Sequence, residues 1–178
     1  HLDSGEAPPH GSDWYPAAWQ AAVSSDGRYV VHVYGWPEPA NIMLHDLQTT
    51  TTTLVSASPD GSAGDGLSVY PTISADGSIL AFASTASNLV ENPYEDCDEQ
   101  QSPFETFCYS IYVVDVTGGT LQRIGRGYRP VLSDDGLILA YYRTDHQATE
   151  SVIYDLSAGA VSQSLEDAIV MDMSGYGE

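Results

Sequence analysis

The residues with chemistry to offer are two cysteines, a set of closely spaced carboxylates and a few aromatics. Cys97 and Cys108 have ten residues between them, inside an acid-rich stretch over 87–109. Closing that stretch as a disulfide would stabilise the chain by roughly 2–4 kcal/mol, mostly by restricting the unfolded state. A thiol metal site is the alternative, but the further Cys or His ligands that it needs at short spacing are missing. Oxygen ligands for calcium cluster at Asp60 and Asp65, and again at Asp96, Asp98 and Glu99. Neither cluster completes an EF-hand loop, and Gly-Asp turns are common without metal. Trp36, Tyr94, Phe104, Phe107 and Tyr109 could stack on sugar rings or a partner, or form the small core that holds a long loop down. Ser, His and Asp are all present, yet no Gly-x-Ser-x-Gly elbow appears. His32 and His45 fall within apolar runs, which suits packing better than catalysis. His1 and His10 lie in a Pro/Gly-rich lead. The expectation is a protein that is not an enzyme and holds no resident cofactor, calcium being the one ion worth testing.

Those residues hang on a repeat, the feature to seek first in any chain. Ser24-Ser25-Asp26-Gly27, Ser74-Ala75-Asp76-Gly77 and Ser133-Asp134-Asp135-Gly136 each precede an apolar run. A second apolar run follows each after a variable gap and ends in Asp: 42–46, 111–115 and 152–155. Asp-Gly pairs signal tight hairpin turns, with Gly taking positive φ. The runs are short and rich in Val, Ile, Leu and Tyr, so they read as strands. Thr117-Gly118-Gly119 and Ser157-Ala158-Gly159 supply another turn, leading into 121–124 and 160–164; Thr49–Thr53 holds the equivalent place in the first repeat, where β-branched Thr favours a solvated edge strand. Each repeat therefore reads as four antiparallel strands.

The stretch Tyr70-Pro71-Thr72-Ile73-Ser74-Ala75-Asp76-Gly77, continuing through Ala81-Phe82-Ala83-Ser84 to Ile111-Tyr112-Val113-Val114-Asp115, resembles a TolB-type, WD-repeat-like β-propeller blade. Arg129-Pro130-Val131-Leu132-Ser133 repeats its opening, and Ala21-Ala22-Val23-Ser24 does so less faithfully. The resemblance covers about residues 18–165. It implies an all-β chain of about three blades plus the start of a fourth, either an incomplete propeller or one assembled from copies. It implies little about activity, since one fold hosts many functions.

The expected organisation is a lead segment over 1–17 and blades over 18–56, 57–125 and 126–165. Blade 2 carries the insertion 87–109. Residues 166–178 contain Ser174-Gly175-Tyr176-Gly177, which matches the frame except that Tyr176 stands where Asp should be, and read as the start of a fourth blade or an exchanged strand. The absence of an initiator Met at His1 reads as processing, trimming or partial representation. A meander puts its first and third turns at one end, so the long connections at 35–40, 57–69, 87–109 and 144–150 should share the other. Those connections bring together Trp36, Glu38, Asp60, Asp65, Tyr94, Glu95, Asp96, Asp98, Glu99 and Phe104 as a candidate binding face.

Twenty-five Asp and Glu stand against five Arg and no Lys, for a formal net charge of −20. Such a balance argues against nucleic acid, whose phosphates need basic groups, and against anionic lipid surfaces. No apolar run approaches bilayer-spanning length. The acidity either selects cations, basic proteins or neutral glycans, or simply keeps the surface soluble. The expected protein is an extracellular or periplasmic (cell-envelope) module that binds a protein or glycan. Edge-to-edge assembly with further copies or blades, and membership of a larger hydrolase, are the alternatives.

Overall fold

The structure is a computed structural model and describes residues 20–35, 39–91, 109–144 and 149–166. Twelve strands follow one another: β1 (Ala21–Val23), β2 (Tyr29–Tyr34), β3 (Asn41–Asp46), β4 (Thr51–Leu54), β5 (Ser68–Ile73), β6 (Ile79–Ser84), β7 (Ser110–Asp115), β8 (Thr120–Arg126), β9 (Tyr128–Leu132), β10 (Ile138–Thr144), β11 (Thr149–Asp155) and β12 (Ala160–Glu166). They form three four-stranded antiparallel meanders, β1–β4, β5–β8 and β9–β12. The chain is all-β, a row of propeller blades. No helix long and apolar enough to cross a membrane occurs among the described residues.

The blades stack face to face about two apolar layers. Between blades 1 and 2 lie Val31, Ile42, Leu44, Leu80, Phe82 and Tyr112, with the Phe82 and Tyr112 rings stacked at 5.5 Å. Between blades 2 and 3 lie Val69, Ala81, Ala83, Ile111, Leu132, Leu139 and Val152. Strand β6 explains why its sequence shows no polar alternation. Leu80 and Phe82 point to one layer and Ala81 and Ala83 to the other, so both faces are buried. The first strands lie innermost, β5 against β1 and β9 against β5.

The Ser-x-Asp-Gly turns differ from the two-residue Asp-Gly hairpin expected of them. Gly27 N–H donates to Ser24 O at 2.9 Å and Ser24 N–H to Tyr29 O at 3.0 Å. Among these loop residues only Gly27, at φ 70°, has positive φ. The loop is thus a type I turn extended by a left-handed glycine. Its side chains lock it: Ser24 Oγ donates to Asp26 Oδ1 at 2.6 Å and accepts Tyr29 N–H at 2.9 Å, while Asp26 Oδ1 accepts Arg28 N–H at 2.9 Å. Ser74 with Asp76, and Ser133 with Asp135, repeat this pattern.

Consecutive first turns are tied together. Ser25 N–H donates to Ala75 O at 2.8 Å, and Ala75 N–H to Asp134 O at 2.9 Å. This ladder aligns the blades, so each sheet has the same end up. At the laddered end the connections span 24–28, 47–50, 74–78, 116–119, 133–137 and 156–159, alternating five residues and four. At the opposite end they span 35–40, 55–67, 85–109, residue 127 alone, and 145–148. All variation in length falls there. The single residue of the shortest link is a glycine because a Cβ there would meet Tyr141 Cδ2 at 2.4 Å and Tyr142 O at 2.7 Å.

Candidate functional site

Of the expected binding-face residues, Asp60 and Asp65 lie in the described part. Both sit in the 55–67 link at the variable end of the blades. Asp60 Oδ1 accepts the Ser58 hydroxyl at 2.6 Å and the Ser62 N–H at 2.9 Å. Gly61 N–H donates to Ser58 O at 2.8 Å. Ser58-Pro59-Asp60-Gly61 is therefore a further Ser-x-Asp-Gly turn, one residue tighter and closed by the antiparallel Ala57–Ala63 bridge inside a connection rather than between two blade strands. The frame itself was the available signal, but no apolar run follows it. Hydrogen bonds led by the Ser58 hydroxyl hold the Asp60 carboxyl down at about 2. Asp65 is different: burial alone would raise its pKa, and the Ser87 hydroxyl and N–H bring it below the usual carboxylate range. Its two oxygens accept those donors at 2.6 Å each, and its own N–H donates to Asn88 Oδ1 at 3.0 Å. The pair thus acts as loop staples, and Asp65 joins the 55–67 link to the start of the 85–109 connection.

Among the described residues no three His, Cys, Asp or Glu side chains converge as a metal site. Trp36, Glu38, Tyr94, Glu95, Asp96, Cys97, Asp98, Glu99, Phe104 and Cys108 lie outside the described residues, and so do Phe107 and the other calcium cluster. Glu150, expected in a loop, instead belongs to β11 and is ion-paired with Arg143 of β10. His32 and His45 stack on neighbouring strands, centroids 4.8 Å apart, with His45 Nδ1 2.7 Å from Thr52 Oγ1. Burial first, and the neighbouring His45 second, push the His32 pKa down.

Three residues that sequence reasoning passed over form a row at the variable end, two on the innermost strands β5 and β9 and one just ahead of β1. Gln20, Tyr70 and Arg129 occupy the same place in their repeats, four positions before the motif serine. Tyr70 N–H donates to Gln20 Oε1 at 2.6 Å. The exposed Arg129 guanidinium lies 5.6 Å from the Tyr70 ring centre, and Tyr109 meets that ring edge-on at 6.4 Å. Tyr70 and Arg129 have φ of 57° and 52°, an uncommon conformation for bulky side chains. Each precedes a proline and sits where the pairing register of its sheet slips. The shared Tyr70-Pro71 and Arg129-Pro130 pairs were visible in the sequence. Their backbone was not, since proline ordinarily biases the residue before it toward extended conformations.

A cleft of about 680 Å3 opens between blades 1 and 2. Its lining combines Leu44, Leu54, Val55, Leu89 and Leu121 with the carboxylates of Asp46, Glu91 and Asp115. Apolar walls with acidic groups suit a partner side chain that is apolar along its stem and cationic at its tip.

Comparison with known proteins bears on the fold. The propeller domain of the trilobed protease from Pyrococcus furiosus, described as having an open velcro topology, matches with a TM-score of 0.56 and 17% identity over 85% of this chain. A putative TolB from Agrobacterium tumefaciens matches at 0.55 and 18% over 87%. Acylaminoacyl peptidase from Pyrococcus horikoshii matches at 0.52 and 12% over 84%. This chain spans 43%, 52% and 25% of those three chains, respectively. Neither a family model nor a curated protein matches the sequence. At these identities the similarity shows a β-propeller fold, TolB-like structures among its neighbours, and nothing of activity.

Proposed function

We propose that the chain is a non-catalytic interaction module that binds a protein or glycan through the variable end of its blades. The observation that carries this reading is the pair of left-handed residues before proline, Tyr70 and Arg129, both at that end. Such backbone costs about 1–2 kcal/mol per residue, and strain of this kind collects where a side chain must be aimed. Here it aims a guanidinium and an aromatic face beside the acidic connections. A basic protein would meet Asp60, Asp65 and Glu91, and a neutral sugar would stack on Tyr70 or Tyr109. The reading includes an extracellular or periplasmic setting, supported by Cys97 and Cys108 lying in one insertion.

A second reading, the propeller part of a larger hydrolase, draws on the names of the solved structures, which include a protease and a peptidase.

Titration of the isotope-labelled chain by basic proteins and by oligosaccharides tests the first reading. Amide signals of 55–67, 85–91, Tyr70 and Arg129 should move. Arg129→Gly keeps the left-handed backbone and removes the guanidinium, so affinity for an oligosaccharide should fall about tenfold while the fold persists, and affinity for a basic protein should not fall. Shifts confined to the 24–28, 74–78 and 133–137 turns would overturn the proposal.

A further inference from the structure

The cleft between blades 1 and 2 is built from the outer halves of both sheets. Thr51, Thr53 and Leu54 of β4 line one side, and Val114 of β7 and Leu121 of β8 the other. It runs the height of the blades. Asp115 ends β7 at the laddered end, and Glu91 stands in the 85–109 connection at the variable end. Leu54, Val55, Val90, Val114 and Leu121 are each only half-buried along it, so apolar burial remains to be gained there.

One side of the cleft is also an open strand edge. Val55 N–H donates to Ile42 O at 2.8 Å. Bonded and non-bonded pairs alternate along an antiparallel ladder, so Thr51 and Thr53 turn their backbone groups to β3, while Thr52 and Leu54 turn theirs outward. Neither outward N–H reaches an acceptor among the described residues. The other outer strands are guarded against pairing. Strand β8 carries Arg123 and Arg126, β12 carries Glu166, and the pairing of each is interrupted by a register shift. Strand β4 reads Thr51-Thr52-Thr53-Leu54, with no charge, no proline and an unbroken register.

Carboxylates flank the apolar stretch. Asp115 accepts the Thr117 N–H and hydroxyl and the Gly118 N–H, all on Oδ1, and Oδ2 has no donor among the described residues. Glu91 is exposed and pairs with no cation there. Asp46 is already held by Arg28 at 2.7 Å. We propose that the cleft takes an extended segment of a partner protein, added to β4 as a fifth strand of blade 1. Its alternate aliphatic side chains pack against Val114 and Leu121, and an Arg or Lys at each end meets Asp115 and Glu91. The occupant is a peptide because the edge offers backbone donors and acceptors at strand spacing. This flank is built by the outer strands, away from the Tyr70 and Arg129 row on β5 and β9, and the proposal does not rest on the reading above.

The probe is an acetylated, amidated heptapeptide with Arg at both ends, Leu third, Val fifth and Thr at the other positions. Fluorescence anisotropy with the full chain should show saturable binding at ~0.15 M salt, where the general attraction of a −20 chain is largely screened. A scrambled peptide of the same composition should bind about tenfold more weakly. Amide signals of 51–55 and 114–121 should move; shifts confined to Tyr70 and Arg129 would place the peptide at the end of the blades and overturn the proposal. Alternate N–H groups of a paired strand face its neighbour. Methylating the backbone nitrogens of one alternate set should therefore abolish binding, and methylating the other set should cost far less; equal losses would refute strand addition. Thr53→Arg changes an exposed position and puts a competing side chain and cation into the cleft. It should weaken binding about tenfold at an unchanged melting temperature, and unaltered binding would count against the site. Glu91→Gln should weaken binding about threefold, as for a solvent-exposed ion pair. Failure of the wild-type chain to bind the probe overturns the proposal, whether the chain itself fills the cleft or nothing does.

Discussion

Serine and aspartate do repeated structural work here that a search for catalytic groups would misread. Ser24, Ser74 and Ser133 are buried, and each hydroxyl both donates to an aspartate and accepts a backbone N–H. At the third turns Asp46, Asp115 and Asp155 accept backbone N–H groups from residues two or three positions on. Asp46 also receives a two-pronged bond from Arg28 at 2.7 and 3.1 Å. One position breaks the pattern. Gly119 and Gly159 close their third turns at φ 67° and 65°, but blade 1 uses Thr50 at φ 58°. A β-branched residue is strained there, so Thr50→Gly should stabilise the fold by about 1 kcal/mol, read from urea unfolding midpoints at constant slope. The Thr run was legible as an exposed strand. The strain within it was not, because composition alone does not show which residue turns left-handed.

At the scale of the element, the strands were readable because their apolar runs are short and bounded by turn residues. Loop type was less so: the Asp-Gly pair suggested a two-residue hairpin, whereas the serine five residues before the start of the second strand extends and fixes a longer loop. The motif glycines also serve two purposes that sequence does not separate. Each supplies positive φ, but Gly77 additionally makes room for Tyr29. Gly27→Ala should therefore cost about 1 kcal/mol, the left-handed penalty alone. Gly77→Ala should cost at least twice as much, since the ring beside it must move. Equal losses in chemical unfolding would show that Tyr29 yields freely. The strained pair at Tyr70 and Arg129 stayed hidden for a related reason: the local sequence reports the proline, while packing of the inner strands dictates the backbone before it.

For the molecule as a whole, charge and fold pull in opposite directions as the medium is acidified. Asp26, Asp46, Asp60, Asp76, Asp115, Asp135 and Asp155 are all held below the usual carboxylate range by local hydrogen bonds, Arg28 leading for Asp46. A depressed folded-state value stabilises above the unfolded value of about 3.9 and is lost as pH falls through the folded one. Neutralising the remaining acids meanwhile relieves self-repulsion. The two effects separate by comparison: between pH 4 and pH 2 the melting temperature of Asp60→Asn should fall less steeply than that of the wild type in scanning calorimetry. Identical slopes would remove Asp60 from the acid response. The division between the two ends of the blade stack reaches further. Connections of five and four residues alternate without exception at the laddered end, while the opposite end spans from one residue to twenty-five. A foreign peptide grafted into 59–62 should leave the blades folded, and the same peptide between Asp134 and Asp135 should not. The molecule is in this sense a display frame, with one side fixed by its own grammar and the other left open to new text.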